Sequence, residues 1–268
     1  MSEPLRQVAP PDNRRRGGGQ RPHVATASNS RRPTEAQPGG ANFPSVKTEI
    51  RAKLVVHGAM GAAGIEQYRR LGATLHELQL ERGLKAITLT SALPQDGKTL
   101  TAVNLALTLV DSYSRRVLLI DADLRRPSIH EVFGISNSVG LRDALASPAS
   151  ELPTFEMGSR LSIIPAGKPT RNPLAGLSSG AMRTLLDDCE KRFDWVLLDA
   201  PPVGLLPDAQ LLSRLTGAVI FVIRAGATPF ALTERAIREL GRDCILGTVL
   251  NGVDEEAIPE TNYYRGYL

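Results

Sequence analysis

Residues 91–100 read Ser91-Ala92-Leu93-Pro94-Gln95-Asp96-Gly97-Lys98-Thr99-Leu100, and they separate two segments of different periodicity. The apolar run 86–90 before them predicts a buried strand, whereas apolar residues after them recur every three or four positions, which predicts a helix. A strand, a tight loop, Gly-Lys-Thr and a helix form the layout of a phosphate-binding loop. In such a loop the backbone N–H groups turn inward, and the helix N-terminus adds a positive partial charge. We therefore predict a nucleotide site at this loop.

Two side chains of the loop have predictable tasks. In loops of this type the lysine, here Lys98, reaches the β- and γ-phosphates, and the Thr99 hydroxyl binds Mg²⁺. Ala92 stands where a glycine is usual. The alternative is an ordinary turn with a solvated Lys98, but a cation at a helix N-terminus opposes the helix dipole unless an anion lies there. The predicted ATP-binding residues are Ala92, Gln95, Asp96, Gly97, Lys98, Thr99 and Leu100.

Two further apolar runs end in aspartates. The run 117–120 is followed by Asp121 and Asp123, and a second run ends at Asp199. Because ligands of open α/β sheets lie beyond the carboxyl ends of the strands, these carboxylates should surround the same nucleotide. An aspartate in this position holds Mg²⁺ directly or through water. We predict that Thr99, Asp123 and Asp199 form the magnesium site, with helix capping by Asp123 as the alternative.

The order of the elements predicts the fold class. Strands and helices alternate along the chain, which is typical of an α/β fold with a doubly wound, mostly parallel sheet flanked by helices. The run 218–223 is the most apolar strand, and we expect it at the centre of the sheet. No Pro/Gly/Ser-rich linker interrupts residues 85–254, so they should form one P-loop domain. Residues 47–84 should lead into it as an extended segment and a helix at about 65–80.

The two ends of the chain differ from this core. Residues 1–46 are rich in Pro, Arg, Gly and Ser, a composition typical of a disordered tail, and 255–268 should form a flexible C-terminal tail. Residues 1–46 hold seven arginines against three acidic residues, so the remainder of a chain with net charge +4 is neutral. The folded part therefore has no basic bias toward nucleic acid. The tail arginines are either solvated or in weak contact with anionic lipid.

Other sequence features indicate the compartment. The two cysteines lie far apart, which argues against a disulfide or zinc framework and for a reducing compartment. No apolar run approaches the roughly 18 residues of a membrane span. The N-terminal segment lacks the apolar run of a signal peptide. We therefore expect a cytoplasmic protein.

The C-terminal tail concentrates tyrosine. Three of the five tyrosines, Tyr263, Tyr264 and Tyr267, fall in the last six residues. A tyrosine in an unstructured terminus has no core to fill, so packing does not explain the cluster. Chance or use at an interface is one interpretation, and phosphate acceptance by the phenols is the other.

Taken together, these motifs resemble the bacterial tyrosine kinases (BY-kinases) of capsule and exopolysaccharide biosynthesis, which are P-loop proteins related to the cell-division and partitioning ATPases. Residues 91–99 resemble the family's Walker A motif, 121–127 its Walker A′ motif, and Asp199-Ala200-Pro201-Pro202 its Walker B motif. Leu93 stands where the division and partitioning ATPases have a signature lysine, which favours the kinase branch.

The resemblance also covers the helix before the P-loop. The family uses a glutamate and two arginines of this helix for contacts within a ring. Glu66 and Arg69 match the first two positions, whereas Gly72 stands at the third, with Arg70 nearby. The alternative is that Glu66, Arg69 and Arg70 form a solvated polar face.

The resemblance implies ATP and Mg²⁺ as cofactors and an autokinase that phosphorylates Tyr263, Tyr264 and Tyr267 between subunits of a ring or dimer. It implies catalytic roles for Lys98, Asp121 and Asp123, in which Asp121 accepts the tyrosine proton or helps to hold the metal. It further implies control of polysaccharide polymerisation and export, with a membrane-embedded polysaccharide co-polymerase as activator at the inner face of the plasma membrane. Two alternatives remain: a non-kinase regulatory ATPase serving as the cytoplasmic partner of such a membrane protein, and a scaffold with an inactive site.

Overall fold

The computed structural model describes residues 50, 53–55, 60–148, 152–205 and 207–253 of the 268-residue chain. The two predicted tails, including Tyr263, Tyr264 and Tyr267, lie outside the described residues. Of the helices that are described, none combines the length and the apolar character needed to cross a membrane.

One sheet organises the described residues. Its seven strands lie in the order β3-β4-β2-β5-β1-β6-β7, and all neighbours are parallel except the antiparallel pair β3 and β4. The predicted mostly parallel sheet is therefore confirmed. The strands are β1 (Ala86–Ser91), β2 (Val117–Asp121), β3 (Phe155–Glu156), β4 (Leu161–Ile164), β5 (Trp195–Asp199), β6 (Val219–Arg224) and β7 (Ile245–Asn251).

Helices connect the strands and cover both faces of the sheet. They are α1 (Ala62–Arg82), α2 (Lys98–Asp111), α3 (Ile129–Phe133), α4 (Leu141–Ala146), α5 (Leu174–Leu177), α6 (Gly180–Arg192), α7 (Asp208–Thr216) and α8 (Phe230–Leu240). Short 3₁₀ turns lie at Val203–Leu205 and Arg242–Cys244.

Successive strand residues enter two different cores. In β2, Val117 and Leu119 face a cluster that includes α1, α2 and α3, whereas Leu118 and Ile120 face a cluster that includes α4 to α8. Burial of both faces explains why these strands read as continuous apolar runs in the sequence. Each fully buried leucine or isoleucine contributes about 1.5–3 kcal/mol to stability.

The prediction that run 218–223 lies at the centre of the sheet is wrong. The strand it forms, β6, is second from the edge, and β5 occupies the middle of the order. β6 is nevertheless buried on both faces, because Ile220 belongs to one core cluster and Phe221 to the other. An apolar composition therefore indicates that helices pack on both faces of a strand, but it does not indicate where the strand lies in the sheet.

Helix α1 begins three residues before its predicted start and ends two after its predicted end, and it packs against α2 through Leu75, which is 1% exposed. Gly72 is also buried on this face, and a Cβ at that position would lie 2.6 Å from Cε2 of Tyr113. The Tyr113 hydroxyl donates a hydrogen bond to the Arg69 carbonyl oxygen at 2.7 Å. At the position where the family carries its second arginine, this chain has Gly72, and the ring of Tyr113 occupies the space that a side chain there would need.

Candidate nucleotide site

The phosphate-binding loop joins β1 to α2. Helix α2 begins at Lys98, and the loop before it bends through left-handed backbone at Gln95 (φ 70°) and Gly97 (φ 98°). Any Cβ at Gly97 would overlap the side-chain amide of Asn251, in addition to the strain of a positive φ. Glycine is therefore required immediately before the lysine, for two independent reasons.

Two residues that are distant in sequence bind the phosphate-binding loop through Asp96. The Asn251 amide at the end of β7 donates to the Asp96 carbonyl oxygen at 2.9 Å, and the Thr228 hydroxyl donates to Asp96 Oδ1 at 2.7 Å. Asp96 Oδ2 accepts the Leu93 N–H at 2.9 Å. Because the Asp96 carboxylate is engaged inside the protein, we expect its contribution to nucleotide binding to come from the backbone.

The predicted carboxylates converge on the lysine. The register of β2 and β5 places Asp121 beside Asp199. Lys98 Nζ lies 3.3 Å from Asp123 Oδ2 and 3.5 Å from Asp199 Oδ1. Asp121, Asp123, Asp199 and Lys98 are all buried. Four residues predicted from three separate motifs therefore form a single cluster at the carboxyl edge of the sheet.

The residues predicted to bind magnesium form a partial ligand set, which suits a cation that binds together with a nucleotide. The Thr99 hydroxyl donates to Asp199 Oδ2 at 2.6 Å. The other oxygen, Oδ1, is buried and accepts no hydrogen bond within the described residues, and its ionic contact is with Lys98 Nζ at 3.5 Å. Within the same part of the chain, no three His, Cys, Asp or Glu side chains form a self-contained metal centre. Mg²⁺ characteristically takes one or two carboxylates together with substrate phosphates, so this partial set suits it.

Comparison with known proteins decides the family. No family model matches the chain. The tyrosine-protein kinase YwqD of Bacillus subtilis (strain 168) is 32% identical over 203 residues, which cover 74% of this chain and 85% of that protein. The chain belongs to the bacterial tyrosine kinase family. The resemblance found in the sequence motifs is thereby confirmed.

Solved structures agree with this BY-kinase in fold. The kinase domain of the Escherichia coli tyrosine kinase ETK superposes with a TM-score of 0.67 at 32% identity, over 72% of this chain and 77% of that domain. The cell-division ATPase MinD of Pyrococcus furiosus superposes with a TM-score of 0.54 at 25% identity, over 65% of this chain and 76% of MinD. The P-loop NTPase fold and the kinship with division ATPases are therefore confirmed.

One relative carries a polysaccharide function in its name. The succinoglycan biosynthesis transport protein ExoP of Rhizobium meliloti (strain 1021) is 28% identical over 251 residues, which cover 87% of this chain. The same match covers 32% of ExoP, so this BY-kinase spans about a third of the length of that relative.

Burial shifts the acid–base behaviour of the site in this BY-kinase. Burial, assisted by the negative charge of Asp199, raises the pKa of Asp121 to about 8, although two backbone N–H groups oppose this. Burial also raises the pKa of Asp199. For Lys98, burial acts to lower the pKa, but Asp199, Asp123 and Asp121 together raise it. The site therefore holds a charged lysine beside two carboxylates, Asp121 and Asp199, that need further positive charge to ionise fully.

The predicted oligomer residues lie away from this cluster. Glu66 and Arg69 sit on α1, where Arg69 Nη1 lies 3.7 Å from Glu66 Oε2 and half of the arginine side chain is exposed. No side-chain bond joins them to the nucleotide site among the described residues.

Sequence reasoning missed Thr228 and Asn251, which both bind Asp96 of the phosphate-binding loop. Asn251 could have been found by the rule that identified the aspartates, since it is a polar residue at the carboxyl end of a strand. Thr228 carries no comparable local signal.

Proposed function

We propose that this BY-kinase uses ATP and Mg²⁺ to phosphorylate tyrosines of its own C-terminal segment, Tyr263, Tyr264 and Tyr267. The observation that supports this is the buried Lys98, which lies at the start of the P-loop helix within 3.5 Å of two carboxylates from neighbouring strand ends. Phosphoryl transfer depends chiefly on positioning and charge neutralisation, which this arrangement provides.

Each residue of the cluster has a role in this proposal. Lys98 and the backbone N–H groups of the loop hold the phosphates. Thr99 and Asp199, with Asp123, hold Mg²⁺, which when bound neutralises the charge on the phosphate oxygens. Asp121 accepts the proton of the attacking tyrosine. Asp121 must be ionised to accept that proton. Burial raises its pKa to about 8, and the added positive charge of a bound Mg²⁺ would favour the carboxylate. As a carboxylate it would be closer in basicity to a tyrosine of pKa about 10 than an ordinary aspartate is.

The proposed cellular role is supported by the family and by the name of ExoP. We place the protein in the cytoplasm, where it would control the polymerisation and export of an exopolysaccharide or capsule. A membrane-embedded polysaccharide co-polymerase would recruit and activate it at the membrane. The neutral charge of the residues after the N-terminal tail accords with a protein partner rather than nucleic acid.

The test compares two lysine variants. The full chain, Lys98→Met and Lys191→Met are incubated with ATP and Mg²⁺, and phosphotyrosine is mapped by mass spectrometry. Lys191 is a suitable control because it is exposed on α6 and pairs with Asp188. We expect phosphate on the C-terminal tyrosines, a loss of roughly 100-fold or more in Lys98→Met, and no loss in Lys191→Met.

The same experiment is repeated with the cytoplasmic segment of the membrane co-polymerase from the same organism. Absence of phosphotyrosine under every condition would refute the kinase proposal. ATP turnover that persists when all three tyrosines are replaced by phenylalanine, without any phosphotyrosine, would favour the regulatory ATPase instead.

A further inference from the structure

Two arginine–aspartate pairs flank strands β2 and β5 at opposite ends. Arg116 precedes β2 and Asp194 precedes β5, with Arg116 Nη2 3.0 Å from Asp194 Oδ1. Beyond the carboxyl ends of the same strands, Arg125 Nε lies 2.7 Å from Asp208 Oδ2 and its Nη2 lies 3.3 Å from Oδ1. The two pairs share their chemistry and differ in which edge of the sheet they occupy.

The pairs also differ in burial. The side chains of Arg116 and Asp194 are 58% and 30% exposed, whereas those of Arg125 and Asp208 are 24% and 1% exposed. An exposed pair of this kind adds little to stability. A buried carboxylate is costly unless a well-aligned cation compensates it, and removal of that cation leaves an uncompensated charge. Arg125 is therefore tied to Asp208 far more firmly than Arg116 is tied to Asp194.

The buried pair restrains the loop that carries Asp123. Arg125 lies two residues after Asp123, and its Nη1 donates to the Arg171 carbonyl oxygen at 3.0 Å. The neighbouring Leu124 carbonyl oxygen accepts the Thr170 N–H at 2.9 Å. The loop is thus fastened both to α7, which begins at Asp208, and to the segment around residue 170.

The same pair connects the loop to the chain that follows Asp199. Asp208 lies nine residues after Asp199, beyond the end of β5, while Arg125 lies beyond the end of β2. A bidentate arginine–carboxylate contact fixes both distance and orientation. The bond between these two loops therefore bears on the separation of Asp123 and Asp199, the two carboxylates that contact Lys98.

We infer that Asp208, acting through Arg125, is a positioning residue that holds Asp123 and Asp199 at the separation required for the Mg²⁺–nucleotide complex. This rests on the proposed function, since it assigns a support to the same site. Asp208 itself is bonded to Arg125 and not to Lys98, so its effect on the site is indirect.

The test measures binding of a fluorescent ATP analogue to the full chain, first in EDTA and then across a Mg²⁺ titration, with the melting temperature of each variant recorded. For Asp208→Asn we expect the Mg²⁺ concentration at half-maximal binding to rise roughly 10-fold or more. The affinity in EDTA should stay at the wild-type value, because the phosphate loop is untouched. Arg125→Lys should shift the Mg²⁺ midpoint in the same direction, because lysine lacks the planar two-point fork.

Asp194→Asn is the matched control, since it removes the same charge from the pair at the opposite edge, and it should leave the Mg²⁺ midpoint unchanged. Wild-type Mg²⁺ dependence in both Asp208→Asn and Arg125→Lys would overturn the inference. An equal loss of affinity with and without Mg²⁺ would also overturn it, because it would indicate a purely structural role. If Asp208→Asn does not fold, Arg125→Lys decides the question.

The two proposals fail differently. If the unaltered chain does not bind the analogue under any condition, the proposed function fails and the positioning role fails with it. If the unaltered chain binds with a clear Mg²⁺ dependence that the variants share, only the positioning role is lost.

Discussion

Asp121 is the residue whose surroundings most change its chemistry. It is fully buried beside Asp199 on the neighbouring strand. Its Oδ2 accepts the N–H groups of Ser128 and Ile129 at 2.9 and 3.0 Å, and these bonds favour the charged form. Burial and Asp199 prevail, and the pKa rises to about 8. The proposed proton acceptor therefore titrates close to neutral pH.

This shift predicts how stability depends on pH. Between the ordinary carboxyl pKa of about 4 and pH 8, the unfolded chain releases the Asp121 proton while the folded chain keeps it. The folded state binds more protons over this window, so its stability falls as the pH rises. We expect the nucleotide-free protein to lose about 2 kcal/mol between pH 6 and pH 8. Asp121→Asn, which cannot ionise, should lose less, as measured by denaturant unfolding at the two pH values.

Asp194→Asn serves as the control for this measurement. Burial acts to raise the pKa of the Asp194 carboxyl, but Arg116 holds that pKa below its usual value. The group is therefore fully ionised above pH 6 in both the folded and the unfolded chain. In Asp194→Asn, the free energy of unfolding should therefore change between pH 6 and pH 8 by the same amount as in the unaltered chain. An Asp121→Asn protein with an unchanged pH dependence would show that Asp121 is already ionised in the folded state.

Helix α1 has one face buried in the core and another exposed to solvent. Leu75 and Gly72 are buried against the core, whereas Glu66 and Arg69 lie on a more exposed face. The two side chains form a solvent-exposed i, i+3 ion pair at 3.7 Å, which adds at most about 1 kcal/mol to the stability of the monomer. Any larger effect of these residues should therefore appear in self-association.

We predict that Glu66→Ala combined with Arg69→Ala shifts the protein from a ring or dimer toward the monomer, with a melting temperature near that of the unaltered chain. Sedimentation velocity over a concentration series measures the shift. Glu77→Ala is the control, because Glu77 is an exposed acid on the same helix. The same association state in the double variant and the unaltered chain would exclude this helix face as the contact.

At the scale of the whole molecule, the folded unit begins well before the P-loop. Leu54 is fully buried in the core cluster that contains α1 and α2. Asn104 of α2 fastens the backbone on either side of it, accepting the Val55 N–H at 3.1 Å and donating to the Lys53 carbonyl oxygen at 3.0 Å. This short segment therefore belongs to the domain and is more than a linker to it.

Two truncations follow from this boundary. Deletion of residues 1–40 should leave ATP affinity and stability unchanged, because the site residues lie between 91 and 251 and the deleted part is polar and arginine-rich. Deletion of residues 1–58 should cost about 2 kcal/mol, the value of burying one leucine. Isothermal titration and denaturant unfolding test both. A large loss of ATP affinity on removing residues 1–40 alone would contradict this division of the chain.

The phosphate loop, Lys98, Thr99 and the three aspartates could be predicted from the amino-acid sequence. Each is specified by a local pattern: a buried strand, its end, and the residue type that follows. Parallel strands share one carboxyl edge, so local patterns sufficed to bring these residues together. The strand order, the contact of Tyr113 with Gly72, the pairing of Arg125 with Asp208, and the bonds of Thr228 and Asn251 to Asp96 become visible only in the folded chain. Arg125 and Asp208 are 83 residues apart, and Asp96 and Asn251 are 155 apart. Such contacts depend on how the helices pack across the sheet, and the residue spacing within a single segment does not predict that packing.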